Sequence, residues 1–361
     1  MQRLWRSFDW VLLGTTVLLI VFGISMISSA TRGTEDLANL WQRQTLLAVS
    51  GLALMLVVAA FDYRFYENLH RFLYILAVSL LVLVLAVGEI SQGVQRWLGA
   101  NAIQPSEFAK IVVIIGLARL LSGHEHELKS PRYLLLSLGY VLLPAALIYL
   151  QPNLSTALTL LFIWLAVVLM AGVPWLHIGG LAAAGVIASP IIWFTMQDYM
   201  RQRILLFIDP EGSPEQYYNV QQALISIGSG GWLGKGFGSG TQSQLHFLRV
   251  RHTDFIFSVI VEELGLLGAI VLCVLLVILL WRILRIAALT HDPFGRLIAI
   301  GVAAIIFLQA AVNIGVNLGV LPVSGLPLPF VSYGGSSLWT FLICLGLAES
   351  VAMRQKKLDF E

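Results

Sequence analysis

The sequence predicts an all-α membrane protein with about ten transmembrane helices and both termini in the cytoplasm. Three observations predict this fold class. The 361 residues are 58% hydrophobic and only 12% charged, whereas about 25% of the residues of a typical soluble domain are charged. Apolar windows long enough to cross a bilayer recur along the whole chain. Lysine and arginine are concentrated in alternate connections between these windows.

The apolar windows define the predicted helices. Gln151-Pro152 alone separates the fifth window from the sixth, and Gly172-Val173-Pro174 separates the sixth from the seventh. Because proline interrupts a helix, we predict a separate helix on each side of both gaps. The first window has no convincing cleavage motif after it, which favours a retained helix over a removed signal peptide. The windows cover residues 10–29, 43–61, 71–88, 105–121, 133–150, 153–171, 175–197, 254–281, 294–320 and 336–353.

The distribution of basic residues predicts the orientation. With the N-terminus inside, 13 of the 22 lysines and arginines fall on the inner side and three in short outer segments. Cytoplasmic connections carry this excess in membrane proteins. The long connection of about residues 198–253, between helices 7 and 8, is then extracellular. We predict one integral membrane domain over residues 1–361. The two cysteines both lie in apolar windows and indicate no disulfide framework.

Asp254 is the first candidate for chemistry. It stands at the start of the eighth window, beside Phe255 and Phe257. An isolated carboxylate at the mouth of an apolar helix is costly without a role or a partner. Partial desolvation raises a carboxyl pKa toward neutrality, which suits a general base. The alternative is a helix N-cap. Glu262 and Glu263 lie roughly 12 Å further along the same helix.

Glu107 and Lys110 are the second candidate. Their spacing of three residues places them on one face of the fourth helix, where they can pair. Pro105 suits the first turn of that helix, and the helix dipole favours Glu107 there. Lys110 lies inside the apolar window and needs a partner. The pair either neutralises itself or lines a polar cavity that accepts a charged substrate.

Arg96 and Trp97 precede the fourth helix. A tryptophan at this depth is commonly an interface anchor, whereas the planar guanidinium of Arg96 suits a phosphate. In the long connection, Arg203 precedes a glycine-rich stretch from Ile227 to Gly240 that contains Lys235. Glycines let backbone amides approach an anion. The spacing is not that of a P-loop, and glycines also serve any irregular membrane-embedded loop.

A proline- and glycine-rich segment, residues 322–335, cannot form a regular helix. Irregular backbone at membrane depth is tolerated where it is buried or lines a cavity. We therefore predict that this segment forms a wall of the site. Asn313 and Asn317, one helical turn apart in the ninth window, are expected to face it or a neighbouring helix.

Taken together, these segments resemble the SEDS family (shape, elongation, division and sporulation) of polytopic cell-wall polymerases. The resemblance covers essentially the whole chain because the motifs occur in family order, and Gly240–Leu245 resembles the elongation branch more than the division branch. The motifs are Q-P-S-E-F-A-K at 104–110, Q-P-N-L-S-T-A-L at 151–158, F-I-D-P-E at 207–211, Q-Q-A-L-I-S-I-G-S-G-G-W-L-G-K-G at 221–236, H-T-D-F-I-F at 252–257, E-E-L-G at 262–265 and L-P-L-P-F-V-S-Y-G-G-S-S at 326–337.

The resemblance implies a peptidoglycan glycosyltransferase in the bacterial cytoplasmic membrane. Such an enzyme polymerises lipid II on the outer face, for cell elongation, from a glycan carried on a polyprenyl pyrophosphate. Asp254 matches the family's essential aspartate. The resemblance also implies a class B penicillin-binding protein as partner, together with the elongation machinery, and no nucleic acid. Positions associated with activity or substrate binding are matched by Glu107, Lys110, Arg96 and Trp97.

The expected reaction is an inverting glycosyl transfer with Asp254 as the base. Lys110 and Arg96, with Arg203 or Lys235, are expected to stabilise the departing pyrophosphate. A divalent cation, Mg²⁺ or Mn²⁺, could share that role, although no ligand cluster is evident. The alternatives are a lipid II flippase, a division-type polymerase and a non-catalytic scaffold.

Two departures from the family pattern stand out. Asn153 and Ser155 occupy Q-P-N-L-S-T where the family commonly has Q-P-D-L-G-T, which removes a negative charge. Arg249 and Arg251 add positive charge just before Asp254, and we expect them to favour an anionic headgroup.

Overall fold

The computed structural model describes residues 7–34, 37–91, 94–98, 103–124, 127, 130–209, 214–245 and 247–355. Helices dominate this part of the chain, and a single small hairpin joins the third helix to the fourth. The helices are α1 Trp10–Ala30, α2 Leu40–Ala60, α3 Tyr63–Val87, α4 Pro105–Ser122, α5 Pro131–Leu150, α6 Leu154–Ala171, α7 Trp175–Thr195, α8 Asp198–Ile208, α9 Pro214–Gly230, α10 Thr241–Gln244, α11 Ile256–Leu289, α12 Pro293–Asn317 and α13 Gly335–Met353.

The predicted all-α membrane fold is confirmed. In the described residues, nine helices are long and apolar enough to cross a bilayer: α1, α2, α3, α5, α6, α7, α11, α12 and α13. The one remaining predicted span, the fourth window, corresponds to α4. This helix carries Glu107, Lys110 and Arg119, and most of its residues are buried inside the bundle. The helix breaks at Gln151-Pro152 and at Gly172-Val173-Pro174 are as predicted.

Burial divides the bundle into a centre and a periphery. Helices α4, α12 and α13 lie at the centre and are buried along most of their length. Helix α7, in contrast, buries none of its residues. In lipid, apolar exposure of this kind carries no penalty because the solvent is itself apolar.

Helices that follow one another in the chain alternate in direction, so the connections gather at two ends. We call one of them the Asp254 end. It contains the connections 31–39, 88–104, 151–153, 196–255 and 318–334. The connection 88–104 includes an antiparallel hairpin of β1 (Glu89–Ser91) and β2 (Val94–Trp97), in which Glu89 pairs with Trp97.

The long connection is not a simple loop, because it contains α8, α9 and α10. Helix α9 packs along the first part of α11. Helix α11 is longer than the apolar window predicted and continues to Leu289, with a break at Gly265 where φ is 67° and ψ is −164°. Glycine tolerates this conformation because it has no Cβ.

Candidate active site

A cavity of about 370 Å³ opens at the Asp254 end of the bundle. Its walls come from the start of α6, from α8, from α12 and from the segment that follows α12. Most of the lining is apolar, and the polar groups converge at one side. The lining residues include Arg96, Asn153, Ser155, Leu158, Phe162, Tyr199, Arg203, Val312, Val323, Ser324 and Leu326.

The backbone of Asp254 is fixed by two asparagines of α12. Asn313 Nδ2 donates to the carbonyl of Asp254 at 3.1 Å and to that of Leu326 at 2.9 Å. Asn317 Nδ2 donates to the same Asp254 carbonyl at 2.8 Å. Asn317 Oδ1 accepts from the backbone N–H of Ser258 at 3.1 Å and so satisfies a free donor in the first turn of α11. The two predicted asparagines therefore join Asp254, α11 and the following segment.

The proline- and glycine-rich segment packs against the residues around Asp254. Ser332 Oγ donates to the carbonyl of Thr253 at 2.6 Å, and the N–H of Tyr333 donates to that of His252 at 2.9 Å. On its other side, the carbonyl of Ser324 accepts from Ser155 Oγ at 2.7 Å. The predicted wall is thus held on both flanks by hydrogen bonds.

The side chain of Asp254 meets Arg203 across Gly325. A Cβ placed on Gly325 would lie 4.0 Å from Asp254 Oδ2 and 3.7 Å from Arg203 Nη1. Glycine is favoured at this position because its φ of +72° lies in the left-handed region. Burial raises the pKa of the Asp254 carboxyl above its ordinary value of 3.8, while Arg203 and a hydrogen bond from Thr253 oppose the shift. Asp254 itself is not a lining residue of the cavity, but its neighbour Arg203 is. A carboxylate so perturbed next to a cavity is typical of a functional group.

Three side chains form the basic side of the cavity. The guanidinium of Arg203 lies 4.5 Å from the ring centroid of Tyr199. Tyr199 also forms a side-chain hydrogen bond with Arg96, whose pKa is lowered by burial. Arg96 Nε donates to the carbonyl of Gln151 at 3.0 Å, and Nη2 donates to that of Pro152. Two guanidinium groups therefore meet at one tyrosine.

The sequence analysis did not single out Tyr199. The signal was present, because Tyr199 and Arg203 are four residues apart on a helix and such pairs share a face. The predicted residues Arg96 and Arg203 both line the cavity. Trp97 follows Arg96 in β2 and is half-buried, but it does not contribute to the described lining.

Glu107 and Lys110 form a buried ion pair away from the described cavity lining. Lys110 Nζ lies 2.6 Å from Glu107 Oε1, and the two side chains are 0% and 5% exposed. This geometry matches the self-neutralising alternative. Removing a partner from a buried pair leaves an uncompensated charge, which is strongly destabilising.

Lys235 is bound inside the glycine-rich stretch, not at the cavity. Its Nζ donates to Glu262 Oε1 at 3.1 Å and to Thr241 Oγ1 at 2.8 Å. The N–H groups of Gln242 and Ser243 also donate to the Glu262 carboxylate. The backbone N–H groups bound to Glu262 belong to residues after the glycine-rich stretch, and Gly238 within the stretch donates to the Glu263 carboxylate, so carboxylates of the protein itself occupy these donors.

The residues that depart from the family pattern have structural partners. Asn153 Oδ1 accepts from the N–H of Thr156 and caps α6. Arg251 is buried and donates to the carbonyl of Ala30 and to Thr34 Oγ1, whereas Arg249 is exposed. Of the two arginines expected to attract a headgroup, Arg251 thus has its guanidinium engaged within the protein.

A neutral histidine completes the surroundings of Asp254. Burial, assisted by the charge of Arg251, lowers the pKa of His252 to about 4. Its ring makes an edge contact with Tyr333. The imidazole is therefore neutral at physiological pH and adds no positive charge beside Asp254.

The described residues offer no group of three or more histidine, cysteine or acidic side chains that could hold a metal ion. None of the described lining residues of the cavity is acidic, and the nearest carboxylate described above, that of Asp254, lies beside Arg203. A protein-held Mg²⁺ commonly takes one or two carboxylates and completes its shell with water and substrate phosphates. The residues present do not form such a cage by themselves, so we assign no step to a cation.

Comparison with known proteins gives a consistent result. The family model for FtsW, RodA and SpoVE, described as cell cycle protein, matches residues 5–357. The peptidoglycan glycosyltransferase MrdB of Escherichia coli (strain K12) is 40% identical over 97% of this chain and 96% of its own length. The probable peptidoglycan glycosyltransferase FtsW of Geobacter metallireducens is 36% identical over 97% of this chain and 96% of its own.

Two solved structures are also similar. A chain from a peptidoglycan synthase complex, in a study of how polymerization and crosslinking are coordinated, aligns with a TM-score of 0.83 and 33% identity, covering 97% of this chain and 99% of that one. Thermus thermophilus RodA aligns with a TM-score of 0.70 and 31% identity, covering 97% and 98%. By sequence and by fold, this multi-pass membrane protein belongs to the FtsW/RodA/SpoVE family.

Proposed function

We propose that this protein is a peptidoglycan glycosyltransferase that polymerises lipid II. The observation that carries the proposal is the geometry of Asp254. Its backbone is clamped by Asn313 and Asn317, while its carboxyl group faces Arg203 beside a largely apolar cavity. The relatives named as peptidoglycan glycosyltransferases support the reaction class.

In the proposed reaction, Asp254 accepts the proton of the 4-hydroxyl group on the terminal sugar of an incoming lipid II. The freed oxygen attacks the anomeric carbon of the growing glycan, with inversion. The bond from that carbon to the polyprenyl pyrophosphate breaks, and the pyrophosphate leaves with the electron pair. A raised carboxyl pKa suits this proton transfer, which contributes about 10²–10⁴-fold to rates of this kind.

The two cavity arginines are placed to stabilise the leaving group. Arg203 and Arg96 present positive charge at the side of the cavity nearest Asp254. Developing negative charge is stabilised most by donors fixed before the reaction. The apolar side chains of Leu158, Phe162 and Val312 line the remaining wall, which suits a lipid-linked substrate.

Glu107, Lys110, Trp97 and Lys235 enter this proposal indirectly. Glu107 and Lys110 pair inside the bundle, and Lys235 holds the glycine-rich stretch to Glu262. Substitution of these residues is therefore expected to change activity by altering the shape of the site. Trp97 adjoins the cavity residue Arg96 in the short hairpin.

The proposed setting is the bacterial cytoplasmic membrane, with both termini inside and the Asp254 end outside. The concentration of basic residues at the opposite end supports this orientation. The proposed partner is a class B penicillin-binding protein that crosslinks the new strands, and a similar chain solved within a peptidoglycan synthase complex supports it. A role in elongation is favoured by the 40% identity to MrdB against 36% to FtsW.

The test is lipid II polymerisation by purified protein, with and without the partner. Asp254→Asn keeps the shape of the side chain and removes the base. Asp198→Asn is a matched control, because the Asp198 side chain is 91% exposed. We expect polymer from the native and control proteins and none from Asp254→Asn.

Polymer from all three proteins would remove Asp254 as the base. An absence of polymer from the native protein with its partner present would support a flippase or a scaffold. Transport of lipid II by Asp254→Asn would then distinguish the flippase.

A further inference from the structure

The residues from Gly231 to Gly236, which we call the glycine loop, form backbone hydrogen bonds with α11 at the point where that helix is broken. At Gly265 the helix departs from helical geometry. The N–H groups of Leu266 and Leu267 donate to the carbonyls of Gly231 and Trp232 at 2.9 and 3.2 Å. In return, the N–H groups of Lys235 and Gly236 donate to the carbonyls of Glu262 and Glu263 at 2.9 and 3.0 Å. The loop thus replaces hydrogen bonds that the broken helix cannot make.

The close fit requires glycines on both sides. A Cβ on Gly234 would lie 2.1 Å from the carbonyl oxygen of Glu263, and a Cβ on Gly265 would lie 2.4 Å from the carbonyl oxygen of Trp232. Backbone atoms cannot move aside as a flexible side chain can. The glycine loop is therefore locked to α11 at one level along the helix axis.

The length of α11 puts that level near one end of its membrane span. Helix α11 has 34 residues, or about 51 Å at 1.5 Å per residue, whereas the hydrocarbon core is about 30 Å thick. The part from Gly265 to Leu289 has a length of about 37 Å and is sufficient to span. The residues before Gly265 therefore extend beyond the span at the Asp254 end, and the glycine loop meets the helix at the boundary.

The side chains of the glycine loop are divided by polarity. Trp232 and Leu233 are 73% and 74% exposed, and the neighbouring Leu266 and Leu267 of α11 are 41% and 48% exposed. The backbone hydrogen bonds between the loop and α11 place these exposed apolar residues next to one another. The charged group of Lys235 turns the other way, onto the buried carboxylate of Glu262. In a loop surrounded by water, the charged side chain would be expected to face the solvent and the apolar side chains to be buried.

We propose that the glycine loop is embedded in the leaflet at the Asp254 end, with Trp232 and Leu233 inserted among its lipids. The occupant of the apolar surface is lipid because the surface continues the lipid-facing side of a membrane-spanning helix. Irregular backbone is tolerated at this depth because its polar groups are satisfied by α11. Tryptophan is enriched at the boundary between lipid and water. The inference does not depend on the proposed function.

Embedding has a consequence for the site. Thr241, Gln242 and Ser243, which follow the glycine loop, are bonded to the Glu262 carboxylate. The chain then continues through Arg251 to Asp254. The loop therefore sets the height of the Asp254 turn above the lipid surface.

Spin labelling tests the proposal in the full-length protein. Leu233→Cys is labelled in a Cys273→Ser, Cys344→Ser background and reconstituted in vesicles of phosphatidylethanolamine and phosphatidylglycerol. Collisions with oxygen report lipid, and collisions with a water-soluble nickel chelate report water. Val277→Cys, on the exposed face of α11 at 64%, is the lipid reference, and Arg249→Cys, on an exposed turn, is the aqueous reference.

We expect the ratio of oxygen to nickel collisions at position 233 to approach that at 277 and to exceed that at 249 several-fold. A ratio like that at 249 would overturn the proposal in favour of an aqueous loop. Exclusion of both reagents would overturn it in favour of a protein partner or a second copy covering the loop.

A second measurement uses the protein without labels, so it remains decisive if the cysteine variants fold poorly. Brominated lipids quench tryptophan fluorescence in the bilayer. Trp232→Phe keeps an apolar ring and removes one of ten tryptophans. The variant is expected to lose part of the quenchable emission. An unchanged quenchable emission would contradict insertion of Trp232.

Discussion

Asp254 and Glu262 are two carboxylates at the start of the same helix, yet their surroundings differ in kind. Glu262 is fully buried and accepts from Lys235, Thr241 and two backbone N–H groups. Asp254 is half-buried, and its backbone, not its carboxyl group, is held by Asn313 and Asn317. Both lie on the eighth helix predicted from the sequence.

The difference shows how a carboxylate that stabilises the structure can be distinguished from one that is available for catalysis. Donors that converge on both oxygens of Glu262 hold its carboxylate and the glycine loop in place. The hydrogen bonds from Asn313 and Asn317 reach the backbone of Asp254 and leave its carboxyl oxygens free of these two donors, beside the cavity residue Arg203. Burial raises the pKa of Asp254, so the folded protein holds its charged form at a cost in free energy. A residue that served packing alone would not need a charge there.

Exchanging each carboxylate for its amide separates the two roles most strongly. Asp254→Asn should lower the polymerisation rate by about 10²–10⁴-fold, with the midpoint of thermal unfolding in detergent close to that of the native protein. Glu262→Gln should lower stability by about 3 kcal/mol because buried donors lose their acceptor. Activity per folded molecule should be largely retained. A large loss of stability in Asp254→Asn, together with a large loss of activity per folded molecule in Glu262→Gln, would invalidate the comparison.

Removing the support behind Asp254 should have the next largest effect. Asn313→Ala leaves the carbonyl of Leu326 without its side-chain donor and the carbonyl of Asp254 with Asn317 alone. A buried polar group that loses its partner costs about 1–3 kcal/mol. Displacement of Asp254 should lower kcat by about 10–100-fold. Gln309→Ala, on the same helix, is the control for a general packing defect. An equal loss of kcat in both variants would assign Asn313 to packing alone.

Tyr199 offers a smaller effect that separates ring from hydroxyl. Tyr199→Phe removes the hydrogen bond to Arg96 and should raise KM for lipid II about five-fold, as expected for roughly 1 kcal/mol. Tyr199→Leu also removes the ring beneath Arg203 and should raise KM further, by about 10–30-fold. Equal KM values for the two variants would show that the ring does not orient Arg203.

The pH dependence of stability gives the smallest effect. The pKa of Asp254 is raised in the folded protein, so the folded state holds the proton more tightly than the unfolded state. Its contribution to stability is therefore fully present below pH 3.8 and is lost as the pH rises through the folded pKa. Asp254→Asn should unfold at a slightly higher temperature than the native protein at pH 7, and the difference should vanish near pH 4. Asp198→Asn should show no such trend.

Much of the fold could be predicted from the sequence because the bilayer imposes length and polarity on each span. The breaks at Pro152 and Pro174 were predictable from the loss of a helical hydrogen bond. The three charged residues of α4 were harder to place, because two of them neutralise each other within the bundle. The break at Gly265 could not be predicted, since it depends on a loop that is distant in sequence.

The candidate site was predictable only in part. Asp254 was identified because a carboxylate beside an apolar segment needs a role or a partner. Arg96 and Arg203 were identified as cationic groups that suit a pyrophosphate. Lys235 was expected in the same site, but its partner Glu262 decides its position, and that pairing depends on the tertiary fold. Tyr199 was missed because an aromatic residue at a membrane boundary has an ordinary explanation as an anchor.

The most direct test of the account is the pH profile of lipid II polymerisation by native protein and by Arg203→Leu. Activity of the native protein should fall on the acid side as Asp254 gains its proton, with a midpoint above 3.8 because burial raises its pKa. Arg203 opposes that rise, so its removal should move the acid midpoint to higher pH. An acid limb that stays in place, or moves to lower pH, would contradict the assignment of Asp254 as the base.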